Sequence, residues 1–215
     1  MALSILPVCS ANGSSSKEMH MKASVFIATS LDGFIARRDG SLDWLPGAEP
    51  EPEEISGAEA ITMEEESGDD HGWGEFWGSV DCLVLGRNSF EKVLEFGIWA
   101  YEGTRVIVLS RNPSYPVPEE MADKVELFAG DPRALVDKLA AEGHKHLYID
   151  GGQTIQSFLR EGLITDLTIT SIPVLIGEGI PLFGPLPGDL PLRHIKTRAL
   201  ADGMVQSMYE VAGAG

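Results

Sequence analysis

Four short apolar runs, each stopped by a turn or a helix start, constrain this chain more than any other feature. They are Ala23–Thr29, Cys82-Leu-Val-Leu-Gly86, Arg105-Val-Ile-Val-Leu-Ser110 and His146-Leu-Tyr-Ile-Asp150. All are too short for an ordinary helix, and none alternates polar with apolar residues throughout. Short apolar runs rich in β-branched side chains read as strands covered on both faces, the habit of parallel sheets. The residues that follow them agree. Asp32-Gly33 has turn chemistry, and Asn88-Ser89 supply cap-type residues ahead of the periodic Phe90, Val93 and Leu94. Asp131-Pro132 opens a helix that carries Leu135, Val136 and Leu139 on one face, with proline at the first helical position, and Gly143 stops it. Gly151-Gly152 turns the chain into a helix over 154–161, closed by Gly162.

Elsewhere the pattern differs. A shorter strand is expected at Val125–Phe128. Pro46, Pro50 and Pro52 make residues 39–57 a loop, because proline removes the amide donor that a helix or a central strand needs. Short helical turns are expected near 59–66 and 73–79. From Leu167 onward, 167–176, 192–200 and 204–211 read as strands with no helix between them, and Asp202-Gly203 is a hairpin turn. The expected fold is α/β: a mainly parallel central sheet flanked by helices, with a C-terminal antiparallel hairpin. Residues 1–21, which include Asn12-Gly-Ser-Ser-Ser16, read as a disordered tail, and 22–215 as one domain. A domain of that size buries roughly 70% of its unfolded surface and needs no staple.

Charge narrows the partners. The 33 acidic and 16 basic residues give a formal net charge of -17, and the 14 acidic residues between Asp39 and Gly86 have no Lys or Arg among them. Such a surface repels phosphate backbones, which argues against nucleic-acid binding. No run approaches the about 18 to 20 apolar residues of a spanning helix, and the N-terminal apolar run lacks a basic flank. A membrane location is therefore not expected. Cys9 and Cys82 form no ligand spacing and no disulfide framework, as in a reducing cytoplasmic setting.

Parallel sheets bind ligands at the carboxyl ends of their strands. Three of those ends carry anion-binding chemistry here. Gly86-Arg87-Asn88-Ser89 combines close backbone approach, free helix-start amides and a guanidinium. Ser110-Arg111 sets a hydroxyl beside a second guanidinium, suited to a phosphate monoester. Asp150-Gly151-Gly152-Gln153-Thr154 leads a glycine pair into a helix start, as a pyrophosphate requires. Together they point to a dinucleotide with an extra phosphate. Gly177-Glu178-Gly179 precedes Pro181 and Pro185 in place of a helix, so it is no Rossmann fingerprint. The five histidines, His20, His71, His144, His146 and His194, never take the spacing of a zinc-binding helix. His144 and His146 could share a strand face, but they read better as the end of one element and the start of the next, and no metal is expected.

Ser24-Val-Phe-Ile-Ala-Thr-Ser-Leu-Asp-Gly-Phe-Ile-Ala36, Asp39-Gly-Ser-Leu-Asp-Trp-Leu45, Leu85-Gly-Arg-Asn-Ser-Phe-Glu91, Val108-Leu-Ser-Arg111 and Tyr148-Ile-Asp-Gly-Gly-Gln153 resemble the dihydrofolate-reductase-like family. The resemblance is nearer to its small members related to the reductase domain of the riboflavin-biosynthesis deaminase-reductase. It implies hydride transfer from NADPH to a small heterocyclic or carbonyl substrate. Carried over, Ala28 and Thr29 border the nicotinamide, and Gly86, Arg87, Asn88 and Ser89 hold phosphates. Ser110 and Arg111 meet the adenosine 2′-phosphate, and Gly151, Gly152, Gln153 and Thr154 meet the pyrophosphate. Trp44, Glu49 and Thr170 fall on the substrate side. Asp150 is the candidate proton donor, with Glu49 and Asp32 as alternatives on the substrate side, although Asp32 before Gly33 also suits a purely structural turn. A homodimer is implied as well. Phe26 stands where the riboflavin reductases have a lysine, which weighs against a phosphorylated pyrimidine substrate. Two other readings fit the residues: an NADP-binding regulatory protein without turnover, and an interaction protein using the acidic segment.

Overall fold

The computed structural model describes residues 21–46, 70–97, 99–200 and 203–213. Each of the four apolar runs is a strand: β1 (Lys22–Ser30), β3 (Cys82–Gly86), β4 (Arg105–Leu109) and β6 (His146–Asp150). β5 (Val125–Phe128) and β7 (Asp166–Ile172) join them, with β9 (Leu192–Ala199) and β10 (Val205–Val211) following. The eight form one sheet in the order β5-β4-β3-β6-β1-β7-β10-β9. From β5 to β7 all pairings are parallel, whereas β10 runs antiparallel to β7 and β9 antiparallel to β10. The expected hairpin is thus appended at one edge of a parallel sheet.

Helices cover both faces. α3 (Pro132–Ala141) and α4 (Gly152–Arg160) press Leu135, Leu139, Ile155 and Phe158 onto one face, against Val25, Val84, Ile107, Leu147 and Ile149. α1 (Trp73–Ser79) and α2 (Arg87–Phe96) lie on the other, where Phe90, Trp73, Phe76 and Trp77 meet Leu83, Leu85, Val108, Tyr148 and Phe26. Strand alternation sends successive side chains to opposite faces, so each strand feeds both cores. Asp131 caps α3 by accepting the Ala134 amide at 2.8 Å.

Several details differ from expectation. α2 already begins at Arg87, with Gly86 in the cap position that Asn88-Ser89 were expected to fill. α4 begins at Gly152, two residues early, because Gly151 makes the turn alone at φ 87. β7 ends at Ile172, since Pro173 has no amide and the Val174 amide turns back onto the Ile172 carbonyl at 2.7 Å, while Asp32 accepts the amides of Ile176 and Gly177 further on. A small second sheet, β2 (Phe34–Ala36) with β8 (Ile180–Pro181), was not legible as alternation because its strands are so short. Residues 1–20 of the expected tail, Cys9 among them, Glu49 and the helical turn near 59–66 lie outside the described residues, whereas Met21 packs against the core. No helix among the described residues is long and apolar enough to cross a membrane.

The amino ends of the strands are closed by polar contacts. Arg105 reaches Glu126 at 2.6 Å and Glu142 at 2.5 Å, and Lys138 also pairs with Glu126. His144 sits 3.1 Å from Asp81, which also accepts the His146 amide at 3.2 Å, while the His146 ring lies 2.7 Å from Ser24 and 3.0 Å from the Ser79 carbonyl, so the two rings have different partners. The opposite end of the sheet carries the motifs.

Candidate active site

Parallel register alone lines the motifs up. Leu85 pairs with Asp150 and Gly86 with Leu109, so Gly86–Ser89, Ser110–Arg111 and Asp150–Thr154 emerge side by side. The starts of α2 and α4 then press together. A Cβ added to Gly86 would stand 2.7 Å from Thr154 Oγ1, and one added to Gly151 would strike Ser89 Oγ. Gly151 also has a φ of 87, a region side chains avoid. Neither helix start is capped by a side chain, so no side chain occupies the positive end of either dipole. A Cβ on Gly152 would meet Ile35 and the Pro181 carbonyl, so the small β2–β8 sheet lies across the start of α4.

Two guanidiniums flank this cradle. Arg87 is half-exposed, 3.8 Å from Glu91 and over the Tyr115 ring, and Arg111 is exposed. Ser110 Oγ accepts the Asn112 amide at 3.1 Å, which shapes the loop that presents Arg111. Asn88 accepts from Arg87 at 3.2 Å, Gln153 is exposed and Thr154 is buried against Gly86.

Beside the cradle the sheet splits. β1 pairs with β6 only over Lys22–Ser24 and His146–Tyr148. Beyond that point β1 continues with β7 to Ser30, and β6 with β3 to Asp150. A crevice opens between the two strand ends. Ala28 is half-buried on the same face of β1 as Phe26, while Thr29 is buried with its side chain toward the opposite face. Asp150 ends β6 at the crevice, partly buried. Burial pushes its carboxyl above the ordinary value, and the Gly151 amide and Tyr148 hydroxyl oppose this only in part. On the α1 side, Phe26, Trp73, Trp77, Tyr101 and Tyr148 form a run of ring contacts, with Trp73 and Trp77 stacked at 5.5 Å and Trp77 5.7 Å from Tyr101. Burial drives the Tyr101 phenol up to about 12, with the charge of Asp150 adding to it.

The residues expected on the substrate side divide. Thr170 pairs with Ala28 across β1 and β7, so it stands beside the crevice, but its hydroxyl accepts from Gln206 at 3.1 Å. Gln206 also donates to the His71 carbonyl and accepts from Arg198. Trp44 lies in a loop tied by Arg37 to Asp43 at 2.5 Å; its indole N–H is buried and has no hydrogen-bond partner among the described residues. Gly40 of that loop runs along Lys92 of α2. Asp32 is spent on structure: it accepts Ser30 Oγ at 2.6 Å and the Gly177 amide at 2.7 Å, which hold its carboxyl below the usual range. The sequence reading missed Tyr148, Tyr101, Gln206 and Asp70. Asp70 accepts the amides of Gly72 and Gly74 at the entry to α1, and these, with Arg198, hold it ionised. Its signal was hidden in the acidic run, whereas Tyr148 sat in plain view two residues before Asp150.

A model of the RibD C-terminal domain matches residues 102–206. The structure resembles that of a putative riboflavin biosynthesis protein from Shewanella sp. PV-4, with 41% identity, 89% of this chain and 99% of that one covered, and a TM-score of 0.74. The chain belongs to the RibD C-terminal domain family. The uncharacterised protein YwjB of Bacillus subtilis is 32% identical over 178 residues, covering 81% of this chain and 90% of its own. Dihydrofolate reductase from Enterococcus faecalis, complexed with NADP(H), shares the fold at 16% identity and a TM-score of 0.55, with 89% of this chain and 96% of that one covered. This RibD-type domain is therefore dihydrofolate-reductase-like in fold, within a reductase-type family.

Proposed function

We propose that the protein is an NADPH-dependent reductase acting on a small heterocyclic or carbonyl compound. The observation that carries this reading is the joined start of α2 and α4, where glycines at 86 and 151 leave room that a Cβ would fill and no side chain caps either helix. That cradle fits a pyrophosphate. Gly86, Arg87, Asn88 and Ser89 together with Gly151, Gly152, Gln153 and Thr154 would hold the diphosphate, and Ser110 and Arg111 the 2′-phosphate. NADPH, when bound, supplies the hydride. Ala28 and the backbone of Thr29 would border the crevice that receives its reactive end. Asp150, whose proton burial holds more firmly than in an ordinary carboxyl, would donate it at its carboxyl oxygen to the reduced product. Trp44 would use its buried indole N–H, which has no partner among the described residues, to orient the substrate, with Thr170 and Gln206 lining the same side. The aromatic run would exclude water. The protein would work in the cytoplasm as a homodimer.

Titration with NADPH and NADH, followed by nicotinamide fluorescence, tests this reading. NADPH is expected to bind more tightly than NADH. Arg111→Ala should weaken NADPH binding by about 1.5 to 3 kcal/mol, the loss of a charge-assisted phosphate contact, and leave NADH nearly unchanged. Absence of binding by either nucleotide would remove the enzyme assignment. Binding with no NADPH consumption across a broad panel of heterocycles and carbonyls would favour a regulatory protein.

A further inference from the structure

The split between β1 and β6 leaves main-chain groups of β1 without a strand partner in a sheet whose faces are both covered. Unpaired backbone groups of this kind are costly, so a substitute is required. The structure supplies one. The Tyr148 hydroxyl donates to the Phe26 carbonyl at 3.0 Å, reaching from β6 to β1 just past the last ladder pair. Its oxygen also stands 3.5 Å from Asp150 Oδ1. A phenol has one proton, and two acceptors face it.

We infer that Tyr148 is a positioning residue that spans the crevice and couples its width to the protonation of Asp150. This rests on the reductase reading for its purpose, though not for its geometry. While Asp150 holds its proton, Tyr148 donates to Phe26 and the two strand ends are tied across the gap. Once Asp150 has given its proton away, the new carboxylate competes for the Tyr148 proton, the tie to Phe26 weakens and the crevice loosens. Proton delivery would thereby release the strut at the stage when product must leave. The ionisable groups whose charge reaches this pair are Tyr148 on Asp150's own strand and Tyr101 from the loop leading into β4; the neighbouring strand β3 presents Leu85 in register. Tyr148 is buried, and that burial holds its phenol neutral well above its ordinary range, so it serves as a donor at every working pH.

The test uses the whole ligand-free protein. The Asp150 carboxyl carbon is followed by NMR through a pH titration in wild type and in Tyr148→Phe. The variant keeps the ring and removes one donor, so Asp150 should titrate at a higher pH than in wild type. The Phe26 amide and its neighbours in β1 should exchange with solvent several-fold faster. An unchanged Asp150 titration would overturn the coupling, and unchanged exchange at Phe26 would overturn the strut. Should Tyr148→Phe fail to fold, the Tyr148 Cζ signal in wild type decides: it should move with the Asp150 titration and stay flat in Asp150→Asn, and a flat wild-type signal overturns the inference. NADPH affinity in Tyr148→Phe should fall about five- to tenfold, the loss of one buried hydrogen bond. If wild type binds no NADPH, the reductase reading fails while the NMR result still judges the strut.

Discussion

A carboxyl group buried at a strand end holds its proton more firmly in the folded chain than in the unfolded one. For Asp150 this sets the sign of a pH effect. Below the ordinary carboxylate range both states are protonated. As pH rises, the unfolded chain releases its proton first, so the folded state loses relative stability until Asp150 itself titrates. Asp150→Asn lacks this loss. Its urea midpoint, taken relative to wild type, should therefore climb as pH rises through and above the ordinary carboxylate range and level off once the folded-state Asp150 has titrated. A flat difference would show that Asp150 titrates normally. Asp32 has the opposite sign, its carboxyl being held low by Ser30 and the 176–177 amides, so its contribution is present at neutral pH and lost in acid. Asp150 could be singled out from its place before the glycine pair. Its proton affinity could not, because that depends on what packs around it.

At the scale of elements, the decisive feature is the meeting of two helix starts. Gly151 sits at φ 87 with Ser89 in the space a side chain would need, whereas Gly162 has a φ of 64 and open space around it. Gly151→Ala should cost about 1 to 3 kcal/mol of stability and weaken NADPH binding, read as a lower urea midpoint and a higher Kd. Gly162→Ala carries the backbone strain without the collision, so it should cost less and leave the Kd unchanged. Equal losses would show that the packing against Ser89 is unimportant. The strands and helices that build this junction were legible, since apolar runs and cap residues are local signals. The two-stranded sheet over Gly152 was not. Its pairs, Phe34 with Pro181 and Ala36 with Ile180, join distant segments too short to show a period.

For the molecule as a whole, the parallel sheet gathers its ligand chemistry at one end, while the appended hairpin creates an edge. β9 is that edge, exposed along most of its length, with Leu192 and Ile195 outward and Val205 on β10 nearby. Exposed apolar residues on an edge strand favour association. Light scattering at micromolar concentration should give twice the chain mass, and Ile195→Glu should shift it toward a single chain. A monomeric wild type would overturn the dimer. Apolar runs and turn residues act within a few positions of the chain, so they sufficed to place the strands of a mainly parallel sheet, its helices, its antiparallel ending and three candidate motifs at strand ends, though not the order of the strands. The crevice, the Tyr148 bridge, the commitment of Asp32 to the 176–177 loop and of Thr170 to Gln206 were decided only in three dimensions. Each depends on which groups burial brings together from distant positions, and on which acceptor is left when a buried strand loses its neighbour.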